Sequence, residues 1–209
     1  MDETKILLAT QGEKLGANLF AYCNNDPINR VDPTGEFSAS KAKAYADKWW
    51  DGFNPLYKRN KYDCANFVSQ CLYAGEFSSM TSSWYNLKIK ISYAWGHADG
   101  LKNWLQKTTT TLIISTWVEI KLLGVLMLIF NCPYCSFVFI VDYAGDGEYD
   151  HAVISGYVDP VTADIYFYGH TNARNGKKYS ITRSRGKNPS LESFLYGNPK
   201  AKIFVARTW

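Results

Sequence analysis

The amino-acid sequence predicts an α+β fold in which N-terminal helices pack on an antiparallel β-sheet. Apolar residues recur at helical spacing in several segments before residue 107, which predicts helices there. After residue 136, short apolar runs alternate with clusters of Asp, Gly and Pro, which is typical of strands joined by hairpin turns. The 209 residues are 46% apolar and 20% charged, so one folded domain with a sizeable core and a short appendage is expected.

The composition restricts the environment and the partners of the chain. A net charge of +4 suits approach to an anionic surface such as a cell wall, but it is too weak to indicate a nucleic-acid partner. Residues 1–15 carry early charges and no long apolar core, so they are not a secretory signal. The five cysteines are odd in number and irregularly spaced, which does not predict a disulfide framework.

The first two elements predicted along the chain are a hairpin and a helix. Residues 16–35 contain two short apolar strands, each followed by a turn that contains Asp and Pro. A helix follows from Ser38, with Ser40 as its predicted cap, and Gly52 and Pro55 end it. The hairpin has no core of its own and is expected to belong to the appendage.

The next helix contains a candidate nucleophile. One apolar helical face is formed by Phe67, Val68, Cys71 and Leu72. Asp63 is a favourable N-cap through its carboxylate, and Gly75 supplies a stop. Cys64 then occupies the first helical position, where the helix dipole stabilises a thiolate and free N–H groups can hold an oxyanion. We therefore expect an easily ionised Cys64; the alternative is a buried core thiol, as is expected of Cys71.

The middle of the chain combines a predicted helix with an atypical apolar stretch. A helix is predicted over residues 91–106, and His97 within it is a weaker functional candidate. The 20 residues from 122 to 141 carry no charge and are long enough to span a bilayer. Their central Asn-Cys-Pro break and their Phe, Val and Ile content instead favour two buried strands, at Val125–Phe130 and Phe137–Val141.

The last third of the chain predicts an antiparallel hairpin followed by closing strands. His151–Val158 and Asp164–His170 have strand composition and are joined by a turn at residues 159–162. Closing strands are expected at Lys178–Thr182 and Ala201–Arg207. The hairpin contributes two of the three histidines of the chain.

These two histidines are expected to lie near each other. His151 begins one strand and His170 ends the next, and such ends are neighbours in an antiparallel pair. His151 is therefore a candidate base for Cys64, and His170 or Asn172 is a candidate for the group that orients its ring. The alternative is that both histidines are merely exposed at strand ends. This alternative is less favoured, because the same chain also places a cysteine at the start of a helix.

No metal or organic cofactor is predicted. The pair formed by Cys132 and Cys135 has no second pair or neighbouring histidine, as a zinc site would need. The acidic turn at residues 142–150 lacks the terminal glutamate of a calcium loop.

Residues 16–36 resemble the closing segment of the RHS-repeat-associated core. The resemblance rests on the runs Asn18-Leu19-Phe20-Ala21-Tyr22 and Asp32-Pro33-Thr34-Gly35. In that family the segment closes a large β-cage, and a variable toxin or enzyme domain follows it. The resemblance implies that residues 1–36 end such a core and that residues 37–209 are the C-terminal tip of a longer secreted or cell-surface protein.

Residues 37–209 resemble the "Putative amidase domain" family, related to the CHAP and NlpC-type papain-like cysteine peptidases. The resemblance is carried by four features, which are Asn54-Pro55 with Tyr57, the run Asp63 to Leu72, the run Asp150 to Ile154, and Gly169-His170-Thr171-Asn172. It implies a papain-like fold with Cys64 as nucleophile, His151 as base, and His170 or Asn172 as third catalytic residue. It also implies that Tyr62, Asp63 and Ala65 position the thiol and the oxyanion. The sequence departs from the family at residues 107–135, an insertion or a frameshifted segment.

Together these features predict a cysteine amidase or peptidase that hydrolyses amide bonds without a cofactor. The expected substrate is a peptidoglycan peptide or amide bond, an immunity protein is an expected further partner, and membrane contact is not expected. Two alternatives remain open at this stage. One is a non-catalytic cell-wall-binding module, and the other is a degenerate, inactive remnant disrupted at residues 107–135.

Overall fold

The computed structural model describes residues 37–50, 52–132, 135–170 and 199–208. Several sequence-based predictions fall outside these residues and stay predictions: the hairpin at residues 16–35, the strand Lys178–Thr182 and the side chain of Asn172. The division of the chain at residues 36 and 37 likewise stays a prediction.

The described chain consists of five helices and one five-stranded sheet. The helices are α1 (Ala39–Trp49), α2 (Cys64–Ala74), α3 (Tyr93–Gly96), α4 (Ala98–Thr108) and α5 (Trp117–Ile129). The strands are β1 (Thr111–Ile114), β2 (Phe137–Asp142), β3 (His151–Val158), β4 (Ile165–Tyr168) and β5 (Lys202–Arg207). They lie in the order β1-β5-β2-β3-β4, and all neighbouring strands are antiparallel. The predicted α+β class with an antiparallel sheet is confirmed.

The two predicted hairpin strands and the predicted closing strand at Ala201–Arg207 are present, and the closing strand takes an internal place in the sheet. β3 and β4 form the predicted antiparallel hairpin. The closing strand β5 does not lie at an edge, because it pairs with β1 on one side and with β2 on the other. β2 is buried over its whole length, so the sheet is covered at its centre.

The N-cap of helix α1 lies two residues before the predicted one. The Ser38 hydroxyl accepts a hydrogen bond from the Lys41 N–H at 3.4 Å, so Ser38 and not Ser40 is the N-cap. The start of α1 lies close to the end of α2, since the Ser38 N–H donates to the Gly75 carbonyl at 2.6 Å. A Cβ at Gly75 would lie 2.5 Å from the Phe37 ring, so a glycine is required for this approach.

Helix α2 is the buried centre of the fold. Its first nine residues, 64 to 72, are all buried, and it contacts α1, α3, α4 and β3. Aromatic rings pack near it, with Trp84 between Trp95 and Trp104 at centroid distances of 4.3 and 4.4 Å. The predicted helix at 91–106 is divided at His97 into α3 and α4. A helix enclosed in this way holds its first residue in a fixed position against the sheet.

A strand was predicted at Val125–Phe130, but residues 117–129 form a helix. The strand prediction is therefore wrong. Helix α5 begins with a capping box, in which Thr116 and Glu119 each bind the backbone N–H of the other. The helix contacts β3 and β4, and its Gly124 lies so close to the Ala163 carbonyl that a Cβ would meet that oxygen at 2.0 Å. The second predicted strand is confirmed as β2. In the described ranges, no helix has the length and apolar character needed to cross a membrane.

Candidate active site

Helix α2 and strand β3 bring Cys64 and His151 into one cavity. Cys64 is the first residue of α2, and His151 is the first residue of β3. The backbone amides of Ala65 and Ala152 hydrogen-bond the Cys64 sulfur, so the sulfur touches the strand one residue beyond His151. The cavity measures about 510 Å³, and both side chains line it. This volume lies in the range of roughly 300–1,000 Å³ that is typical of small-ligand sites.

Three further parts of the chain form the walls of this cavity. Tyr62 lies in the loop before α2, residues 96–99 lie at the junction of α3 and α4, and residues 143 and 149–150 belong to the β2–β3 connection. His97 is among these residues and stacks on Tyr93 with 4.6 Å between ring centroids. The cavity is thus built from loops and element ends around a fixed helix and a fixed strand.

Burial keeps both Cys64 and His151 uncharged at neutral pH. Cys64 is 2% exposed, and burial raises its pKa to about 11, against the opposing effect of its amide hydrogen bonds. Burial lowers the pKa of His151 from 6.5 to about 4. The expectation of an easily ionised thiol is therefore wrong for the free protein. A helix terminus stabilises an anion by about 0.3–2 kcal/mol, which is less than the desolvation of a fully buried thiolate.

The buried neutral state of His151 predicts acid-sensitive stability. Between pH 6.5 and about 4 the unfolded chain protonates this imidazole whereas the folded chain does not. The free energy of unfolding should fall by about 3 kcal/mol as the pH falls through this window. Urea denaturation at several pH values measures the loss. His151→Gln should lack this contribution and exposed His97→Gln should retain it; an unchanged pH dependence in His151→Gln would contradict the assignment.

The sequence predicted that the Asp63 carboxylate caps α2. This prediction is wrong, because the carboxylate makes no capping hydrogen bond and instead binds His170. Its Oδ2 lies 2.6 Å from His170 Nδ1, and both side chains are buried. The other ring nitrogen, Nε2, lies 2.9 Å from the Trp49 carbonyl oxygen and must donate to it. A second proton is then held between Nδ1 and the Asp63 carboxyl group. Both nitrogens of His170 are engaged in this way, so His170 orients Asp63 and not the ring of His151.

The His170 ring is also fixed by aromatic contacts. It stacks on Phe67 with 4.2 Å between centroids, and Phe53 packs on it edge-on at 5.3 Å. Phe67 belongs to α2, so His170 contacts both the residue before the helix and the helix itself. This arrangement ties the chain after β4 to the helix that carries Cys64.

A buried amide network continues from Asp63 into helix α2. Asn66 donates to Asp63 Oδ1 at 2.7 Å, and its own side-chain oxygen accepts from Trp95 Nε1 at 2.9 Å and from Asn86 at 2.7 Å. Sequence reasoning missed Asn66 and Asn86, although Asn66 lies inside the run that carries the family resemblance. Asn66 lies among nine consecutive buried residues of α2, where a side-chain amide needs hydrogen-bond partners.

The described residues include no group of three or more His, Cys, Asp or Glu side chains placed to hold a metal ion. Cys132 and Cys135, considered above for zinc, are free thiols, as are Cys64 and Cys71. Cys135 is fully buried and adopts a positive φ of 62°.

A buried cysteine at a helix start, beside a histidine on an antiparallel sheet, is an arrangement suited to acyl-transfer hydrolysis. The chain belongs to the "Putative amidase domain" family, whose sequence model matches residues 36–191. This family description indicates amide hydrolysis.

The chain is similar to an uncharacterized protein, YhbB, of Bacillus subtilis strain 168. The two are 33% identical over 118 residues, which is 54% of this chain and 35% of the length of YhbB. The chain therefore spans about a third of the relative it matches. No solved structure matches it.

Proposed function

We propose that the protein is a cysteine-dependent amidase of the papain-like type. One observation carries the proposal: Cys64 and His151 open into the same cavity, and the Ala152 amide next to His151 hydrogen-bonds the Cys64 sulfur. A nucleophile on a helix N-terminus and a base on the adjoining antiparallel strand is also the arrangement that the CHAP and NlpC resemblance implies. The order of the elements supports this likeness, because the helix precedes the sheet in the chain.

The proposed reaction begins with attack of the Cys64 sulfur on the carbonyl carbon of an amide. His151 accepts the thiol proton as the carbon–sulfur bond forms, so a neutral pair becomes charged only in the transition state. N–H groups in the first turn of α2, which have no partner within the helix, stabilise the oxyanion. The amine leaves with the proton from His151 and a thioester remains. Water deprotonated by His151 then hydrolyses the thioester and restores the thiol.

The residues around this pair have supporting roles in the proposal. Ala65 contributes a backbone N–H at the sulfur, and Tyr62 lines the cavity beside it. Asp63 and His170 fix the start of α2 and act as positioning residues. Asn172, which lies outside the described residues, is the proposed group that orients His151.

The proposed substrate is a peptidoglycan peptide or amide bond. The net charge of +4 suits an anionic wall. The resemblance of residues 16–36 to the end of an RHS core supports a role as the C-terminal effector tip of a longer exported protein. In that setting the protein acts at or beyond a cell surface, and an immunity protein would protect the producing cell.

Digestion of purified peptidoglycan tests this substrate. We expect the protein to release soluble fragments with new amine and carboxyl ends, identified by mass spectrometry, while the number of reducing sugar ends stays constant. The constant sugar ends serve as the internal control, because only a glycosidase would raise them. Binding to walls without release of any fragment would contradict the proposal and support a wall-binding module instead.

A further inference from the structure

The wall of the active-site cavity is aromatic and acidic. Four tyrosines line it, which are Tyr62, Tyr93, Tyr143 and Tyr149. Two carboxylates, Asp99 and Asp150, are also in the lining, whereas lysine and arginine are absent from the described residues that form it. This contrasts with the chain as a whole, which carries a net charge of +4. The lining residues thus carry two carboxylates, while Lys61 and Lys102 lie outside the lining with their ammonium groups over the rings of Tyr62 and Tyr149.

Both carboxylates are held in place by backbone amides. Asp99, in the first turn of α4, accepts a hydrogen bond from the Tyr149 N–H at 3.0 Å. Asp150 accepts one from the Tyr143 N–H at 3.2 Å. The bond from Tyr149 joins α4 to the β2–β3 connection across the cavity wall, so Asp99 is fixed relative to the strand that begins with His151.

Asp99 has no cationic partner in the described part of the chain. No lysine or arginine there comes within salt-bridge distance of its carboxylate. Lys102, one turn along α4, lies over the Tyr149 ring with its Nζ 5.4 Å from the centroid. Within the described residues, the Asp99 carboxylate is therefore held by a backbone amide and not by a cation.

Tyrosine rings beside a carboxylate form a favourable environment for an ammonium group. The face of an aromatic ring attracts a cation, and a partly enclosed carboxylate attracts it more strongly than an exposed one. An anionic group of a substrate would be repelled by the same wall. This chemistry lies beside the Cys64 sulfur, where the reacting amide must sit.

We propose that the cavity selects amide substrates that carry an ammonium group close to the scissile bond, and that Asp99 is the specificity-determining residue. This inference rests on the proposed function, since it places the scissile amide at Cys64. It concerns the charge of the group that the cavity binds, and this preference can be measured without hydrolysis.

Two thiol reagents of nearly equal size test the charge preference. Aminoethyl and hydroxyethyl methanethiosulfonate react alike: the thiolate attacks the sulfenyl sulfur, a disulfide forms and methanesulfinate leaves. Both reactions need the thiolate, so the ionisation of Cys64 cancels in the ratio of the two rates. Mass spectrometry of peptides resolves the rate at Cys64 from the rates at other cysteines.

We expect the ratio of the aminoethyl rate to the hydroxyethyl rate to be about tenfold higher at Cys64 of the folded protein than at the cysteines of the unfolded chain. Asp99→Asn should reduce this ratio at Cys64 about fivefold. Asparagine keeps an oxygen that can accept from the Tyr149 N–H. Glu148→Gln is the matched control, because it removes one negative charge from an exposed residue of the same connection that does not line the cavity. It should leave the ratio unchanged.

Several results would overturn the inference. One is an equal rate ratio in the wild type and in a folded Asp99→Asn, and another is an equal loss in Glu148→Gln. If Asp99→Asn does not fold, the wild-type ratio at low and high salt decides, because screening should reduce a charge preference. Failure of Cys64 to react with either reagent would also count against it. A charge preference without hydrolysis of any amide would leave this inference standing and remove the proposed function.

Discussion

Replacing Cys64 by alanine is expected to abolish amide hydrolysis while the fold is retained. Without the sulfur no thioester forms, and loss of a catalytic nucleophile lowers kcat/KM by about 10⁴-fold or more. Cys64 is buried, but the change removes only one atom from its side chain, so we expect a loss of about 1 kcal/mol in stability. Circular dichroism and urea denaturation of the variant would verify the fold.

Cys71→Ala is the matched control for this variant. It makes the same substitution in the same helix, at a fully buried position in the core, away from the cavity lining. It should lose a similar amount of stability and keep its kcat/KM within about tenfold of the wild type. Equal inactivation of both variants would show that packing of α2 and not the Cys64 thiol is responsible. Activity of Cys64→Ala within tenfold of the wild type would exclude a cysteine nucleophile.

The sequence predicted those elements whose signals are local. Helix α2 was recognised because its apolar period, the position of Cys64 and the stop at Gly75 all lie within twelve residues. The β3–β4 hairpin was recognised in the same way, from strand composition and the turn between its strands. For both, the residues that decide the structure are neighbours in the chain.

The strand prediction at Val125–Phe130 is wrong because the N-terminal capping signal of α5 outweighs the composition of the segment. The Phe, Val and Ile content of residues 122–141 suits strands, yet helix α5 begins with the capping box of Thr116 and Glu119. That pair, three residues apart before an apolar run, was a readable local signal. Closing strand β5 shows a different limit, since its place between β1 and β2 depends on pairing with distant strands.

The sequence predicted which residues belong to the candidate site, but it did not predict their burial and charge. The sequence shows that Cys64 begins a helix, but only the packing of α2 against β3 shows that the thiol is enclosed. Likewise, the Asp63 carboxylate can serve as a cap in an isolated helix. In the fold it meets His170, which lies 107 residues further along the chain. Long-range partners of this kind reverse local expectations about charge.

Replacement of His151 is expected to have the second large effect, and its pH dependence identifies the role of the ring. With a thiol pKa of about 11, only about one molecule in 10⁴ holds a Cys64 thiolate at pH 7. His151 supplies the missing deprotonation during attack, so His151→Ala and His151→Gln should each lower kcat/KM by about 10⁴-fold at pH 7. In these variants kcat/KM should then rise about tenfold per pH unit towards pH 11, because hydroxide replaces the base.

The wild type should show a different profile. Its kcat/KM should be nearly constant above pH 6 and should fall as the pH approaches about 4, where His151 becomes protonated. His97→Ala is the comparison, because His97 lines the same cavity but is exposed, and we expect it to cost less than tenfold at pH 7. A His151 variant with the pH profile of the wild type would exclude His151 as the base. If His97→Ala instead showed the steep rise with pH, the base would be His97.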